Sequence, residues 1–174
     1  MTHFVWNFCF ETVIGVEGGF QNDERDRGNW TSGKVGCGQC KGTKYGICAM
    51  SYPYLDICNL TLDEAKDIYR KDYWERCKCD FIPDALSLAV FDFAVNSGIR
   101  TAVKQLQLAL GVTADAVFGN QTLGACNRLP TREVLDRYME NRLVYLHGLK
   151  SWKFYGNGWG TRVKHVKEIC ERLL

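Results

Sequence analysis

The sequence predicts an all-α, mainly helical fold with one small irregular excursion, rich in glycine and cysteine, that forms a loop or β-hairpin. Three observations carry this. Apolar residues recur at i, i+3, i+4 and i+7 through most of the chain, the period of one helix face. Glycines and capping residues punctuate those stretches at their ends. Only residues 20–58 lose the period, and there Gly, Asn, Ser, Thr and Cys take over.

Residues 3–17 read as the first helix, with Phe10, Val13, Ile14 and Glu17 on one side and Gly18-Gly19 as its stop. In the excursion, "KVGCGQCKGTKYGI" has the short glycine spacing of a hairpin or small sheet. The next helix starts in "NLTLDEAKDIYRKDYWERC", where Thr61 and Glu64 form a capping box ahead of Leu62, Ala65, Ile68, Tyr69 and Tyr73. Pro83 opens "PDALSLAVFDFAVNSG", apolar nearly all round, which predicts a central buried helix closed by Gly98. "IRTAVKQLQLALG" follows and ends at Gly111. After a glycine-containing loop, helices are expected at about 131–148 and 161–173, separated by "KSWKFYGNGWG". The expected division is 1–98 and 99–174, the second a helical part packed on the first or continuous with it.

Composition narrows the function. A chain of 174 residues has room for one good core. Its net charge of +2 provides no basic field for nucleic acid. No run approaches the ~18 apolar residues of a membrane span. The N-terminal stretch has neither a basic start nor a small-residue cleavage site, so no secretory signal is expected.

Glu17 draws attention because a carboxylate on an apolar face at a helix C-terminus has both burial and the helix dipole raising its pKa. Such a group can keep a proton near neutral pH and act as a general acid. Asp26, nine residues on in the polar stretch "NDERDRGN", should stay ionised. Two carboxyl groups in opposed environments suit acid–base cleavage of a glycosidic bond. The plainer readings are a solvent-facing helix end for Glu17 and turn chemistry for Asp26.

"EGGFQND", "DRGNW", "GTKYGI", "YRKDYW", "FDFAVNSG", "LQLALG" and "GWGTR", in this order from about residue 4 to 162, resemble the EGG-motif N-acetylmuramidases of glycoside hydrolase family 108, many of them phage endolysins. The resemblance implies a lysozyme-like fold, with Glu17 of the EGG triplet as catalytic acid. The arrangement is also similar to phage-type lysozymes, in which an aspartate nine residues on and a threonine in a T-x-x-G-I-like strand assist. By that likeness Asp26 is the base that activates water and Thr43 positions it. Asn22, Tyr45, Trp74 and Asn96 become candidate substrate contacts. Tyr69 and Asp92 also match; core packing is the plainer reading for Tyr69 and Trp74, and buried backbone partners for Asp92 and Asn96. "LQLALGVTADAVFGNQTL" resembles the peptidoglycan-binding helical unit of these enzymes, but Asp115-Ala116 stands where the family prefers Asp-Gly. Since alanine resists φ > 0, a different turn is expected there.

The expected activity is therefore hydrolysis of the β-1,4 bond between N-acetylmuramic acid and N-acetylglucosamine. A lytic transglycosylase on the same bond and a non-catalytic wall-binding protein are the rivals. Expected partners are bacterial peptidoglycan and a holin that gives a cytoplasmically made monomer access to the periplasm and wall. No cofactor is needed for this chemistry.

Six of the nine cysteines fall between residues 37 and 79. Cys37, Cys40, Cys77 and Cys79 could form a structural zinc site. Disulfides that also involve Cys48 and Cys58, or unpaired buried thiols, are the alternatives. Only three histidines exist and none is near the cluster, which argues against catalytic zinc.

Overall fold

The structure is a computed structural model that describes residues 2–16 and 18–174. Among these, seven α-helices and one two-stranded sheet follow in the order α1 (Thr2–Val13), β1 (Thr43–Lys44), β2 (Ile47–Cys48), α2 (Leu62–Tyr69), α3 (Asp84–Ser97), α4 (Ile99–Leu110), α5 (Asn120–Arg128), α6 (Thr131–His147) and α7 (Trp152–Glu171). The mainly α expectation with a small hairpin excursion is met. No helix among the described residues is long and apolar enough to cross a membrane. The chain forms two compact units, residues 6–70 and residues 1–5 with 71–174.

The first unit holds most of α1, the excursion and α2. Helix α1 ends at Val13, earlier than the expected 17. Gly15 takes φ +79°, and the Ile14 and Gly15 amides both donate to the Phe10 carbonyl. The chain thus stops at the first glycine able to turn left-handed, not at the Gly18-Gly19 pair. Phe10 and Val13 are buried as expected. The capping box of α2 forms: the Thr61 amide donates to Glu64 Oε2 at 2.8 Å and the Glu64 amide to Thr61 Oγ1 at 3.2 Å. Past Tyr69 the helix continues as a π-turn over Arg70–Trp74. An extra residue in one turn rotates the side chains beyond it, and Trp74 becomes 1% exposed.

The second unit is a helical array around α3, whose residues Ala85 to Ala94 are all buried. A helix apolar on every side needs partners on every side. It packs against α4, α6 and α7, while α4 also meets α5 and α6. These contacts gather residues 71–174 into one compact unit.

Two elements of this unit also differ from expectation. Helix α5 occupies part of the region read as a loop, and α7 begins at Trp152, nine residues before the expected start. Three glycines inside α7 concealed it. Gly156 has a packing reason to be there, since a Cβ would lie 2.5 Å from the Trp152 indole. That indole stacks within 3.9 Å of His147 and 6.1 Å of Trp159 between ring centres. Aromatic packing over the bare turn offsets the ~1 kcal/mol a helical glycine costs.

One charged residue of α3 is also buried. Asp92, 0% exposed, is clamped by two arginines. Arg142 Nη1 of α6 lies 2.6 Å from its Oδ2, while Arg162 of α7 reaches Oδ1 with Nε at 2.9 Å and Nη2 at 2.5 Å. The Arg142 contact is a close ion pair at a bent angle rather than an aligned hydrogen bond, and its Nε–H has no hydrogen-bond partner. The Arg142 guanidinium rests over the Phe93 ring, 4.7 Å from its centre.

The turn between α4 and α5 corrects a sequence expectation. Ala116 adopts φ +63°, so the left-handed turn survives without glycine. Gln107, 1% exposed, enforces it: its Oε1 accepts from the Ala116 amide at 2.8 Å, and its Nε2 donates to Asp115 Oδ1 at 2.8 Å and to the Val117 carbonyl at 3.0 Å. Alanine there is strained by roughly 1–2 kcal/mol, against which glycine loses more chain entropy on folding. Ala116→Gly should stabilise the protein by about 0.5–1 kcal/mol. Urea unfolding checks this, and a lower midpoint in the variant would contradict it.

Candidate active site

Asp26 sits at the head of a short 3₁₀ turn, Arg27–Asn29, and its Oδ1 accepts from the Gly28 amide at 2.8 Å. Gly28 lets the carboxylate fold back over the turn, because a Cβ there would come within 3.2 Å of that oxygen. Asp26 is exposed, in keeping with the polar surroundings expected of it.

Thr43 begins the hairpin. Strand β1 pairs antiparallel with β2 in the register Thr43↔Cys48 and Lys44↔Ile47. The two loop residues, Tyr45 and Gly46, have φ +51° and +75°, the signature of a tight two-residue turn. A tyrosine at the first of these positions is unusual, and Tyr69 steadies it. Its hydroxyl donates to the Tyr45 carbonyl at 3.0 Å, while its ring meets Phe10 edge-on at 5.8 Å. Tyr69 is thus a core residue that holds the turn.

Gln21 joins the two. It bridges Thr43 through a pair of backbone hydrogen bonds, Gln21 N to Thr43 O at 2.9 Å and Thr43 N to Gln21 O at 2.8 Å. Close approach is possible because residue 42 is glycine: a Cβ there would fall 2.5 Å from the Gln21 carbonyl oxygen. Between Asp26 and Thr43 lies the fully buried Asn29. Thr43 Oγ1 donates to Asn29 Oδ1 at 2.7 Å, Asn29 Nδ2 donates to Gln21 Oε1 at 2.8 Å, and Gln21 Nε2 lies 3.5 Å from Asp26 Oδ2. The structure therefore places Asp26 and Thr43 on one hydrogen-bonded network. The sequence reading missed its two connecting amides. Both lie inside the "EGGFQND" and "DRGNW" motifs, which was the one available signal.

Glu17 lies outside the described residues. Among the described residues α1 ends at Val13, ahead of the last-turn position expected for Glu17. Its chain neighbours Val16 and Gly18 line an open depression together with Glu11, Ile14 and Gly15. Gly18 also explains half of the glycine pair. A Cβ on it would sit 2.7 Å from Tyr45 Cα and 2.7 Å from its ring, whereas one on Gly19 would meet nothing within 4 Å. Gly18→Ala should push the hairpin away and cut turnover more than about 10-fold, since small misplacements of reacting groups are expensive. Gly19→Ala should cost far less. Equal losses in the two variants, measured on purified cell walls, would contradict this.

The remaining candidates separate. Asn22 is an exposed loop residue whose carbonyl lies 3.7 Å from the Cys40 thiol. Tyr45 is half-buried at the turn. Trp74 is not offered to a sugar: its indole N–H donates to Asp80 at 2.9 Å and its ring packs edge-on against Phe91 at 5.6 Å. Asn96, in the helical unit, is exposed and donates to the Asp92 carbonyl at 2.7 Å. Of the cysteines considered for zinc, Cys37 and Cys40 lie in the first unit and Cys77 and Cys79 in the second. Among the described residues no three His, Cys, Asp or Glu side chains form a group that could hold a metal ion. Cys77 and Cys79 are buried in the helical unit, where the Cys79 thiol approaches the Ser87 carbonyl. Cys37, Cys40, Cys48 and Cys58 are thiols on the excursion, exposed or half-buried.

The family model for glycosyl hydrolase 108 matches residues 10–98, more than half of the chain and the whole of this network. The chain belongs to the glycosyl hydrolase 108 family. It is a glycoside hydrolase. Among solved structures, SagA of Brucella abortus superposes with a TM-score of 0.79 at 28% identity, covering 98% of this chain and 96% of that one. The likeness thus extends past the family match through α7. No curated protein sequence matches the chain. Family membership accounts for the clustering of the "EGGFQND", "DRGNW" and "GTKYGI" motifs: all three feed the Gln21–Asn29 network.

Proposed function

We propose that the protein is a peptidoglycan muramidase that hydrolyses the β-1,4 bond between N-acetylmuramic acid and N-acetylglucosamine. Glu17 protonates the leaving oxygen, Asp26 takes a proton from water, and Thr43 orients that water. The observation that carries this reading is the shared network of Asp26 and Thr43, which holds an exposed carboxylate and a hydroxyl in one fixed relation. A base and a positioned water need such an arrangement; a single acid–base glutamate does not. A holin that lets the enzyme reach the wall from the cytoplasm fits this role.

Digestion of purified peptidoglycan with mass analysis of the products tests it. Hydrolysis leaves reducing N-acetylmuramic ends, one water heavier than the anhydro ends a lytic transglycosylase leaves. Anhydro ends would replace the hydrolase reading with that rival. Binding without cleavage would leave only a wall-binding protein.

A further inference from the structure

The Gln21–Asn29 pair does more than join two loops, because hydrogen-bond bookkeeping fixes the orientation of every amide in it. The Asp23 carbonyl can only accept, so the Asn29 atom 3.0 Å from it is the Nδ2 donor. Asn29 Oδ1 then faces Thr43, and at 2.7 Å the Thr43 hydroxyl must be the donor. The same logic sets Gln21. The Asp23 amide can only donate, so the Gln21 atom 3.1 Å from it is Oε1. Gln21 Nε2 is left pointing at Asn29 Oδ1, 3.2 Å away, and at Asp26 Oδ2. Both backbone partners belong to one residue, Asp23, whose carboxylate is itself pinned by Arg25 at 2.8–2.9 Å.

We propose that Asn29 is a positioning residue that turns Thr43 into an acceptor-only hydroxyl, so that a nucleophilic water must point both hydrogens into the enzyme and its lone pair at the sugar. The inference rests on the acid–base reading above. A water attacking an anomeric carbon gives one hydrogen to the base, here Asp26. Its second hydrogen needs an acceptor. A freely rotating threonine hydroxyl would donate to the water as readily as accept from it, and a water that accepts from threonine has one of its two lone pairs drawn off and its second hydrogen left without that acceptor. With its proton held by the buried Asn29 carbonyl, Thr43 Oγ1 can offer only lone pairs. Gln21 completes the device by orienting both Asn29 and the Asp26 carboxylate. In the hydrolytic step the water oxygen bonds to the anomeric carbon, one water proton passes to Asp26, and the glycosidic oxygen leaves with the proton of Glu17. The Thr43 proton stays where it is.

The test is a double-mutant cycle on kcat with soluble peptidoglycan fragments, using Asn29→Leu, Thr43→Val and the pair. Each single variant should lower kcat about 100-fold while KM stays near its original value. The double variant should be no worse than either single, because both break one device. A merely structural role would instead lower the melting temperature, raise KM and add in the double. Should Asn29→Leu fail to fold, Gln21→Met with Thr43→Val supplies the same cycle at the other amide. Additive losses, or full kcat in Thr43→Val while Asp26→Asn is inactive, would overturn this inference alone. Normal turnover in Asp26→Asn would overturn the acid–base reading, and the inference with it.

Discussion

Glu17→Gln is expected to abolish cleavage of purified cell walls, with turnover down at least about 1,000-fold, while melting temperature and wall binding stay close to those of the parent. Glutamine matches glutamate in size and can donate a hydrogen bond, but its amide has no proton to give a leaving alkoxide. The loss therefore isolates proton transfer from fit. The variant does not separate hydrolase from transglycosylase, since both need the acid. Asp26→Asn does. In a hydrolase it removes the base and should be nearly as damaging; in a transglycosylase the substrate's own group attacks and turnover persists. Product masses from the two variants, read together, assign the mechanism. Full activity in Glu17→Gln would end the proposal.

The second large effect is on stability, in the helical unit. Asp92→Ala should cost about 3–5 kcal/mol. The substitution strands Arg142, which is 2% exposed and already has one N–H without a partner. Arg162, with 38% of its side chain exposed, can turn to water and suffers less. The same physics predicts the converse. Replacing the buried pair together, as Asp92→Leu with Arg142→Met, removes both charges and should recover most of the loss. Urea denaturation of the single and double variants measures this. A double variant as unstable as the single would mean that packing around α3, not an uncompensated charge, sets the cost.

Much of the fold was legible because it depends on local period and caps. The all-round apolar character of "ALSLAVFDFA" announced a helix with neighbours on every side, and α3 is that helix. Thr61 with Glu64 announced the start of α2 to the residue. Glycine was the unreliable signal, since it has several uses. Gly15 ends α1, Gly156 makes room for an indole within a helix, and Gly18 makes room for the hairpin. The sequence shows the missing Cβ but not which neighbour requires its absence. The Ala116 turn failed as an expectation for a related reason. Local propensity disfavours alanine at φ +63°, yet a buried glutamine from another helix imposes it.

By itself the sequence determined the helical class, the buried α3, the capping of α2, and the family through motifs whose order and spacing survive in one dimension. Those are properties of neighbours along the chain, or of residue types at fixed spacing. Only the tertiary structure decided that Asp26 and Thr43 belong to one network, that Gln21 and Asn29 connect them, and that Asp92 has two arginines for one carboxylate. Each depends on which side chain meets which across a fold, and hydrogen bonds and ion pairs are made at distances near 3 Å that no spacing along the chain reports.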